Sequence, residues 1–312
     1  RQLRATLRIA DRERFDVLHL LYFDRTQVPL RVATLLRNPD VPVVATQHRD
    51  AFVTNSTAGS TRLPDITTWA LNSTIDDEVL DLLTVHADDI RDRIVDAVPS
   101  ATTSTVRTIP APTPDPEITT DTAELRADLD LPPRRDLILF FGGLRHEKGP
   151  DILADQLREV DRPLTLVFAG SPADFSEDDV DDWRSTVSSA VEIVDRLEYI
   201  PEAEVNRYFA AVDATVLPYR RERGISGPLR RSAMVGTPVI GTVETDVGRL
   251  IERHDIGATF DPDDRTTFSD ALDRTLDADS TVHSALETFA SSRHWERTGE
   301  VLYDIYEELL AM

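Results

Sequence analysis

The lysine at position 148 carries the clearest chemical signal in this sequence. It is the one lysine among 34 basic residues, and the other 33 are arginine. A chain that has replaced nearly every ammonium with guanidinium keeps this compact point charge in the loop GGLRHEKG, which follows the apolar residues 137–141. Chance survival of one lysine explains the same count, so both interpretations stay open.

The residues around Lys148 predict a strand, a glycine loop and a helix in succession. Residues 137–141 are wholly apolar, as in a strand buried on both faces. Gly149 and Pro150 then begin a helix, because proline is favoured in a first helical turn. Backbone N–H groups, the positive end of a helix and an ammonium together suit a phosphate. The spacing differs from the GxxxxGKS/T pattern of P-loop NTPases.

Composition limits the classes of protein that fit. A chain of 312 residues is long enough for two domains, each with its own core. Its net charge of −23 opposes binding to nucleic acid or to an anionic membrane, although weak peripheral membrane contact stays open. The acidic, arginine-rich composition is of the halophilic type expected in a high-salt cytoplasm. The absence of cysteine excludes disulfides, thiolate zinc sites and a cysteine nucleophile.

The sequence contains no segment that predicts membrane insertion or export. No apolar stretch approaches the roughly 18 residues of a membrane span, and the first residues do not resemble a signal peptide. We therefore expect a cytoplasmic protein without a transmembrane segment. Residue 1 is arginine and not methionine, so we expect that an upstream part of the chain is missing.

Apolar strand candidates, among them residues 15–22, 82–85 and 164–169, alternate with helical segments such as residues 295–310, which predicts two α/β domains with parallel sheets. Residues 116–133 are polar and follow a proline-rich segment of the chain. This composition predicts a connection between the domains. Eleven of the twelve glycines lie beyond this connection, so backbone able to cradle a phosphate is concentrated in the second half. The predicted parts are residues 1–115 for the first domain, 116–133 for the linker, 134–290 for the second domain and 291–312 for a C-terminal helix.

Five segments of the second half together resemble the family-4 glycosyltransferases, which have the GT-B fold of two Rossmann-like domains. In order, they are FFGGLRHEKG, LTLVFAG, AAVDATVLPY, RSAMVGTPVIGT and DVGRLIERHDIGATFDPDD, and the match runs over roughly residues 137–275. In the first half, FDVLHLLYF and VPVVATQH resemble the middle strands of the acceptor domain. The opening strand and glycine loop of that domain have no counterpart, so the first Rossmann-like domain is expected to be incomplete, either because the chain is truncated upstream or because the domain is reduced.

The resemblance implies a nucleotide diphosphate sugar donor bound by the second domain, with no separate cofactor and no metal. Lys148 would grip the donor diphosphate and act in catalysis, and His48 would act near the acceptor by hydrogen bonding or proton exchange. A lone histidine after a strand is also common as a structural residue. The implied diphosphate-binding residues are Gly142, Gly143, Arg145, Lys148, Ser226 and Gly227, and the implied sugar or base contacts are Tyr219, Glu222 and Arg231.

The donor-site motif departs from the usual pattern of two glutamates spaced by seven residues. Counting back from Gly236 puts the second acid at Arg231 and the first at Arg223, with Glu222 one position earlier. The sequence resembles instead a variant with serine and glycine before the helix, here Ser226 and Gly227, and Ser226 lies where a helix N-cap is expected. Arg230 and Arg231 either add positive charge to the phosphate site or simply lie on the surface of the helix.

These residues support two hypotheses. The first is a glycosyltransferase, retaining by analogy, that moves a sugar to a carbohydrate, lipid or other hydroxyl acceptor. The second is a non-catalytic sugar-nucleotide-binding or partner protein of the same fold, motivated by the missing acid at Arg231 and the short first domain. A sugar-nucleotide epimerase fits less well, because we find no clear acid and histidine constellation for it.

Overall fold

The computed structural model describes residues 2–35, 38–48, 66–113, 115–220 and 226–311. The chain divides into two compact units. The first contains the described residues between 2 and 112 together with 295–311, and the second contains the described residues between 113 and 294. Each unit holds a parallel β-sheet, so the prediction of two α/β domains is confirmed.

The described strands and helices alternate along most of the chain. The strands are β1 Leu18–Leu20, β2 Val43–Thr46, β3 Leu82–Val85, β4 Val106–Thr108, β5 Asp136–Phe141, β6 Leu164–Ala169, β7 Val191–Arg196, β8 Ala214–Leu217, β9 Val239–Thr242 and β10 Gly257–Phe260. The helices are α1 Gln2–Glu13, α2 Gln27–Thr34, α3 Ile66–Asp76, α4 Asp88–Ala97, α5 Thr122–Asp128, α6 Pro150–Gln156, α7 Glu177–Thr186, α8 Glu202–Ala211, α9 Gly227–Met234, α10 Asp246–His254, α11 Arg265–Leu276, α12 Ser280–Ser291 and α13 Trp295–Leu310.

The first unit is built on a four-stranded parallel sheet in the order β1-β2-β3-β4. Every residue of β2 and β3 is buried, which is why these strands are short apolar runs. The C-terminal helix α13 belongs to this unit, and its Ile305 packs with Val44, Leu82 and Ile109.

The second unit has a six-stranded parallel sheet in the order β10-β9-β8-β5-β6-β7. The chain builds β5, β6 and β7 outward in one direction and then returns to place β8, β9 and β10 on the other side of β5. The strand order therefore reverses between β5 and β8. In open α/β sheets, ligands bind beyond the carboxyl ends of the strands at such a reversal.

Residues 116–133, expected to connect the domains, pack as part of the second unit. Leu125, Leu129 and Leu131 are buried in a cluster that also contains Leu137 and Phe209. Within the short helix α5, Arg126 donates two hydrogen bonds of 2.9 Å to the carboxylate of Asp213. This segment therefore contributes apolar core and an ion pair to the second unit.

Candidate functional site

The carboxyl ends of β5 and β8 lie side by side in the second unit. Ile138 pairs with Ala214 and Leu139 with Thr215 in a parallel register. The loop that carries Lys148 follows β5, and the loop that leads to α9 follows β8. The order of the sheet therefore places both loops beside the strand reversal.

The glycine loop after β5 makes room for the ammonium of Lys148. Gly142 has φ +112°, which favours glycine, and its N–H donates to the carbonyl of Ala169 at 2.8 Å. A Cβ atom on Gly142 would lie 2.5 Å from Lys148 Nζ. A short 3₁₀ helix, His146–Lys148, brings the half-buried lysine back over this glycine. The ammonium thus lies directly against the loop backbone.

Gly149 lets the same loop touch the end of β8. It has φ +65°, and a Cβ there would approach the carbonyl oxygen of Pro218 to 2.0 Å. A larger residue would separate the two segments. The close approach brings the Lys148 turn onto the segment that leads from β8 toward α9.

Arg220, which the sequence did not single out, ties this turn together. Its backbone N–H donates to the carbonyl of Glu147 at 3.0 Å, and its Nη1 donates to the carbonyl of His146 at 2.8 Å. The guanidinium also binds both carboxylate oxygens of Asp151, at 2.7 and 2.5 Å. Arg220 therefore holds the residues on both sides of Lys148.

The Arg220 ion pair is reflected in the charge state of Asp151. Burial opposes its ionisation and raises its pKa, but the hydrogen bond and the charge of Arg220 outweigh burial, so the pKa of Asp151 lies below its ordinary value. The carboxylate is therefore ionised across the neutral range, and the bidentate pair persists there.

Ser226 caps helix α9, as the sequence predicted. Its Oγ accepts a hydrogen bond from the N–H of Leu229 at 3.3 Å, and the hydroxyl of Tyr219 lies 3.3 Å from the same Oγ. Tyr219 is only 4% exposed and packs among apolar residues such as Leu217. Its ring therefore serves packing, while its hydroxyl connects the end of β8 to the start of α9.

The first turn of α9 offers space and positive charge. A Cβ on Gly227 would meet no atom within 4 Å. Burial and then the charge of Arg231 lower the pKa of Arg230, and burial and then the charge of Arg230 lower the pKa of Arg293 to about 10. These guanidiniums repel one another, so a nearby anion would relieve the repulsion.

The remaining donor-site candidates differ in their placement. Arg145 is well exposed, and its Nη1 lies 3.8 Å from Glu147 Oε1. Gly143 lies beside the Arg145 side chain. Arg231 donates to Asn206 Oδ1 at 2.9 Å and to Glu202 Oε1 at 2.6 Å, so it binds helix α8. Glu222 lies outside the described residues.

His48 lies in the first unit, just beyond the carboxyl end of β2. Its Nε2 donates to the carbonyl of Leu21 at 2.9 Å, and its backbone N–H donates to Asp24 Oδ2 at 3.2 Å. Its ring lies 5.4 Å from that of Tyr22 and 4.9 Å from that of His86. The sequence did not identify these two neighbours.

Among the residues that the structure describes, His, Asp and Glu side chains form no group of three placed to hold a metal ion. None of the described helices combines the length and the apolar character needed to cross a membrane.

Comparisons with known proteins show which families and chains this sequence is similar to. Residues 135–278 match the family described as "Glycosyl transferases group 1". The chain is 25% identical over 316 residues to a D-inositol 3-phosphate glycosyltransferase of Corynebacterium jeikeium, covering 95% of this chain and 73% of the relative. It is 29% identical over 181 residues to a GDP-mannose:glycolipid 4-beta-D-mannosyltransferase of Xanthomonas campestris, covering 55% and 49%.

Two solved structures share the fold over the whole chain. Sucrose-phosphate synthase from Thermosynechococcus elongatus has a TM-score of 0.73 and 18% identity, covering 98% of this chain and 77% of that one. HepE of Anabaena, solved in complex with UDP, has a TM-score of 0.73 and 16% identity, covering 100% and 82%. The architecture is therefore α/β with two parallel-sheet domains, the GT-B fold of glycosyltransferases.

Proposed function

We propose that this protein transfers a sugar from a nucleotide diphosphate sugar to a hydroxyl acceptor, with retention at the anomeric carbon. The observation that carries the proposal is the position of Lys148. Its ammonium lies over Gly142 at the strand reversal, and the Pro218–Tyr219 segment connects its turn to the N-terminus of α9. A diphosphate bound there would meet an ammonium and a helix N-terminus together.

This arrangement suits the departure of a nucleoside diphosphate. When the bond between the anomeric carbon and the diphosphate oxygen breaks, the electron pair goes to that oxygen and its negative charge increases. Lys148 and the first N–H groups of α9 would stabilise this negative charge. The guanidinium of Arg145 would add a second, more exposed positive charge. The acceptor hydroxyl is the second substrate group, and His48 would bind it separately from the donor.

The relatives suggest which donors and acceptors to test. Structures of HepE contain UDP or UDP-glucose, and the Xanthomonas relative is named for GDP-mannose. The acceptors named for the relatives are an inositol phosphate and a glycolipid. The first panel of substrates therefore combines UDP-sugar and GDP-sugar donors with phosphorylated, neutral and lipid-linked acceptors.

Replacement of Lys148 tests the proposal most directly. Lys148→Ala should weaken binding of UDP or GDP about 10- to 100-fold, because a charge-assisted hydrogen bond contributes about 1.5–3 kcal/mol. Lys148→Arg should recover part of this affinity. Isothermal titration at fixed salt would measure it.

A matched control is Arg158→Ala, which removes one exposed positive charge from the same unit. It should leave nucleotide affinity nearly unchanged, since its charge is screened by solvent. Equal affinity of wild type and Lys148→Ala for both nucleotides would contradict the diphosphate site.

A second candidate function is sugar-nucleotide binding without transfer. It is favoured by one observation: Arg231 stands where an acid is expected, and it binds Glu202 and Asn206 of α8. Nucleotide release from the donor in the presence of the acceptor panel distinguishes the two. Binding that depends on Lys148 without any release would support the second candidate.

A further inference from the structure

Three basic side chains of the second unit lie around the buried ring of Phe289. Arg230 belongs to α9, His254 ends α10, and Arg293 follows α12, the helix that carries Phe289. The guanidinium carbon of Arg293 lies 3.6 Å from the centroid of the Phe289 ring, and the His254 ring meets the same ring edge-on at 5.0 Å. We call Arg230, His254 and Arg293 the basic cluster.

Thr113 joins the third member of the basic cluster to the other two. Arg230 Nη1 donates to Thr113 Oγ1 at 3.4 Å, and the backbone N–H of Thr113 donates to the carbonyl of Arg293 at 3.0 Å. Thr113 is only 3% exposed, so this connection is fixed by packing. Each member of the cluster is itself partly exposed, which leaves it open to a solute.

The charges of the basic cluster act on one another. Burial and then the charges of Arg293 and Arg253 lower the pKa of His254 below its ordinary value, and the charge of Asp255 opposes this shift only in part. Arg293 is in turn repelled by Arg230. The cluster is therefore locally positive, although acidic side chains exceed basic ones by 23 in the whole chain. A local field of this sign attracts anions.

Arg293 has hydrogen-bonding capacity that the fold does not use. Its Nη1 donates to Phe289 O at 3.1 Å and to Ser292 Oγ at 2.7 Å, which closes the end of α12. Its Nε is buried, and among the described residues it has no hydrogen-bond partner. Within the same part of the chain, Arg293 contacts no carboxylate. Capping of α12 thus explains one nitrogen of the guanidinium and leaves its charge without a counterion.

A phosphate group fits this cluster better than a carboxylate does. The N–H donors come from three separate segments of the chain, and two of the three side chains are guanidiniums, which suit phosphate oxygens. A tetrahedral dianion has oxygens for all three, whereas a carboxylate has two oxygens in one plane. We propose that the basic cluster binds a phosphate group, either the free ion or a monoester, at a site separate from the donor diphosphate.

NMR titration of the histidine signals tests the inference. The probes are inorganic phosphate and glucose 6-phosphate at fixed ionic strength, since salt screens such contacts. Either probe should shift the His254 signals and raise the pKa of His254, because a bound anion offsets the repulsion from Arg293. The exposed His283 of α12 is an internal control whose signals should not move. The probe that binds more tightly identifies the free ion or the monoester as the ligand.

Sulfate separates the titration of His254 from that of the probe. Sulfate keeps its charge through the neutral range, so a change of its affinity with pH reports the protein. Because binding raises the pKa of His254, sulfate should bind more tightly as the pH falls from about 8 to about 6. His254→Gln should remove this pH dependence.

Replacement of Arg293 tests the cluster itself. Arg293→Gln should weaken phosphate binding about 10- to 100-fold, because it removes a charge-assisted hydrogen bond. Arg293→Lys keeps the charge and should recover part of the affinity, which separates lost charge from a folding defect. The matched control is Arg274→Gln, which removes an exposed arginine of α11 from the same unit and should leave phosphate binding unchanged.

Competition with UDP separates this site from the donor site. Phosphate should still bind in saturating UDP, and Lys148→Ala should weaken UDP binding while keeping phosphate binding. The inference is overturned if neither probe moves the His254 signals, if Arg293→Gln binds phosphate as tightly as wild type, or if UDP displaces the phosphate. Failure of UDP to bind the wild type would count against the donor site alone, because the phosphate titration does not depend on it.

Discussion

Single residues in the Lys148 turn are constrained by space as well as by charge. Gly149→Ala should destabilise the second unit, because its φ of +65° disfavours a side chain and the added Cβ would approach Pro218 O to 2.0 Å. A left-handed conformation alone costs about 1–2 kcal/mol for a non-glycine residue. We expect a lower melting temperature and weaker nucleotide binding, measured by thermal denaturation with and without UDP.

Gly299→Ala provides the opposite expectation for the same chemical change. Gly299 lies within α13, and a Cβ there would meet no atom within 4 Å. Alanine in a helix interior is favoured over glycine by roughly 0.5–1 kcal/mol, so this variant should melt at the same or a higher temperature. Equal melting of the two alanine variants would show that the close approach at Gly149 is not structurally required.

The contact between Arg220 and Asp151 should appear as an energetic coupling. Arg220→Ala and Asp151→Asn each break the bidentate pair that holds the Lys148 turn. Because the two residues are in direct contact, a double-mutant cycle should give a coupling of about 0.5–3 kcal/mol in unfolding free energy. Nucleotide affinity should also fall in both single variants. Additive effects of the two changes would mean that the pair does not stabilise the turn.

The local part of this site followed from the sequence, and the long-range part did not. Glycine, lysine and proline spacing predicted the loop, and the serine before GPLRRSAM predicted the cap at Ser226. Arg220 was missed because its partner Asp151 is 69 positions away and is reached only when β8 pairs with β5. For Tyr219 the sequence left ligand contact and plain packing both open, and its ring packs with apolar residues such as Leu217.

Among the elements, α13 is attached to the first sheet through a histidine that titrates abnormally. His19 Nδ1 lies 2.5 Å from the hydroxyl of Tyr306, and its Nε2 lies 2.7 Å from Thr46 Oγ1. Burial lowers the pKa of His19 from 6.5 to about 4. The unfolded chain therefore gains a proton below pH 6.5 while the folded chain stays neutral, so stability is full above 6.5 and decreases toward pH 4.

We expect His19→Asn to flatten this part of the pH dependence. Between pH 7 and pH 4.5 the wild type should lose more melting temperature than the variant, because only the wild type carries the buried imidazole. His283→Asn removes an exposed histidine of α12 and serves as the control, with a wild-type pH dependence. Parallel curves of melting temperature against pH for wild type and His19→Asn would show that His19 does not cause this pH dependence.

Element existence was easier to predict than element boundaries. The strands Leu82–Val85 and Leu164–Ala169 and the helix Trp295–Leu310 have the predicted bounds, because apolar periodicity and turn residues delimit them locally. The predicted strand at 15–22 is limited to Leu18–Leu20, and Leu21 and Tyr22 just beyond it are exposed. Helix α7 was not predicted, because its acidic composition resembles a solvent-exposed segment, although Ser176 and Asp179 form a capping box.

At the scale of the whole molecule, charge should govern the response to salt. Acidic residues number 57 and basic ones 34, so acidic side chains exceed basic ones by 23. Their mutual repulsion is screened at high ionic strength, whereas exposed ion pairs contribute little to begin with. The melting temperature should therefore rise between 0.1 and 2 M KCl.

The comparison with sucrose separates screening from a general solute effect. Sucrose stabilises folded chains by exclusion from their surface without screening charge, so a similar rise with both solutes would argue against repulsion. A melting temperature that is unchanged or falls with KCl would contradict the expectation outright. The prediction concerns stability and is independent of the diphosphate site.

The strand order of the second sheet also has a consequence for biosynthesis. As the chain leaves the ribosome, β5, β6 and β7 emerge well before β8. The edge of β5 that later pairs with β8 therefore stays unpaired until β8 is synthesised. Ile138 and Leu139 lie on that unfinished side, where another nascent chain could dock. Translation arrest before Ala214 should thus yield aggregating or chaperone-bound fragments, and the risk ends once β8 has been added.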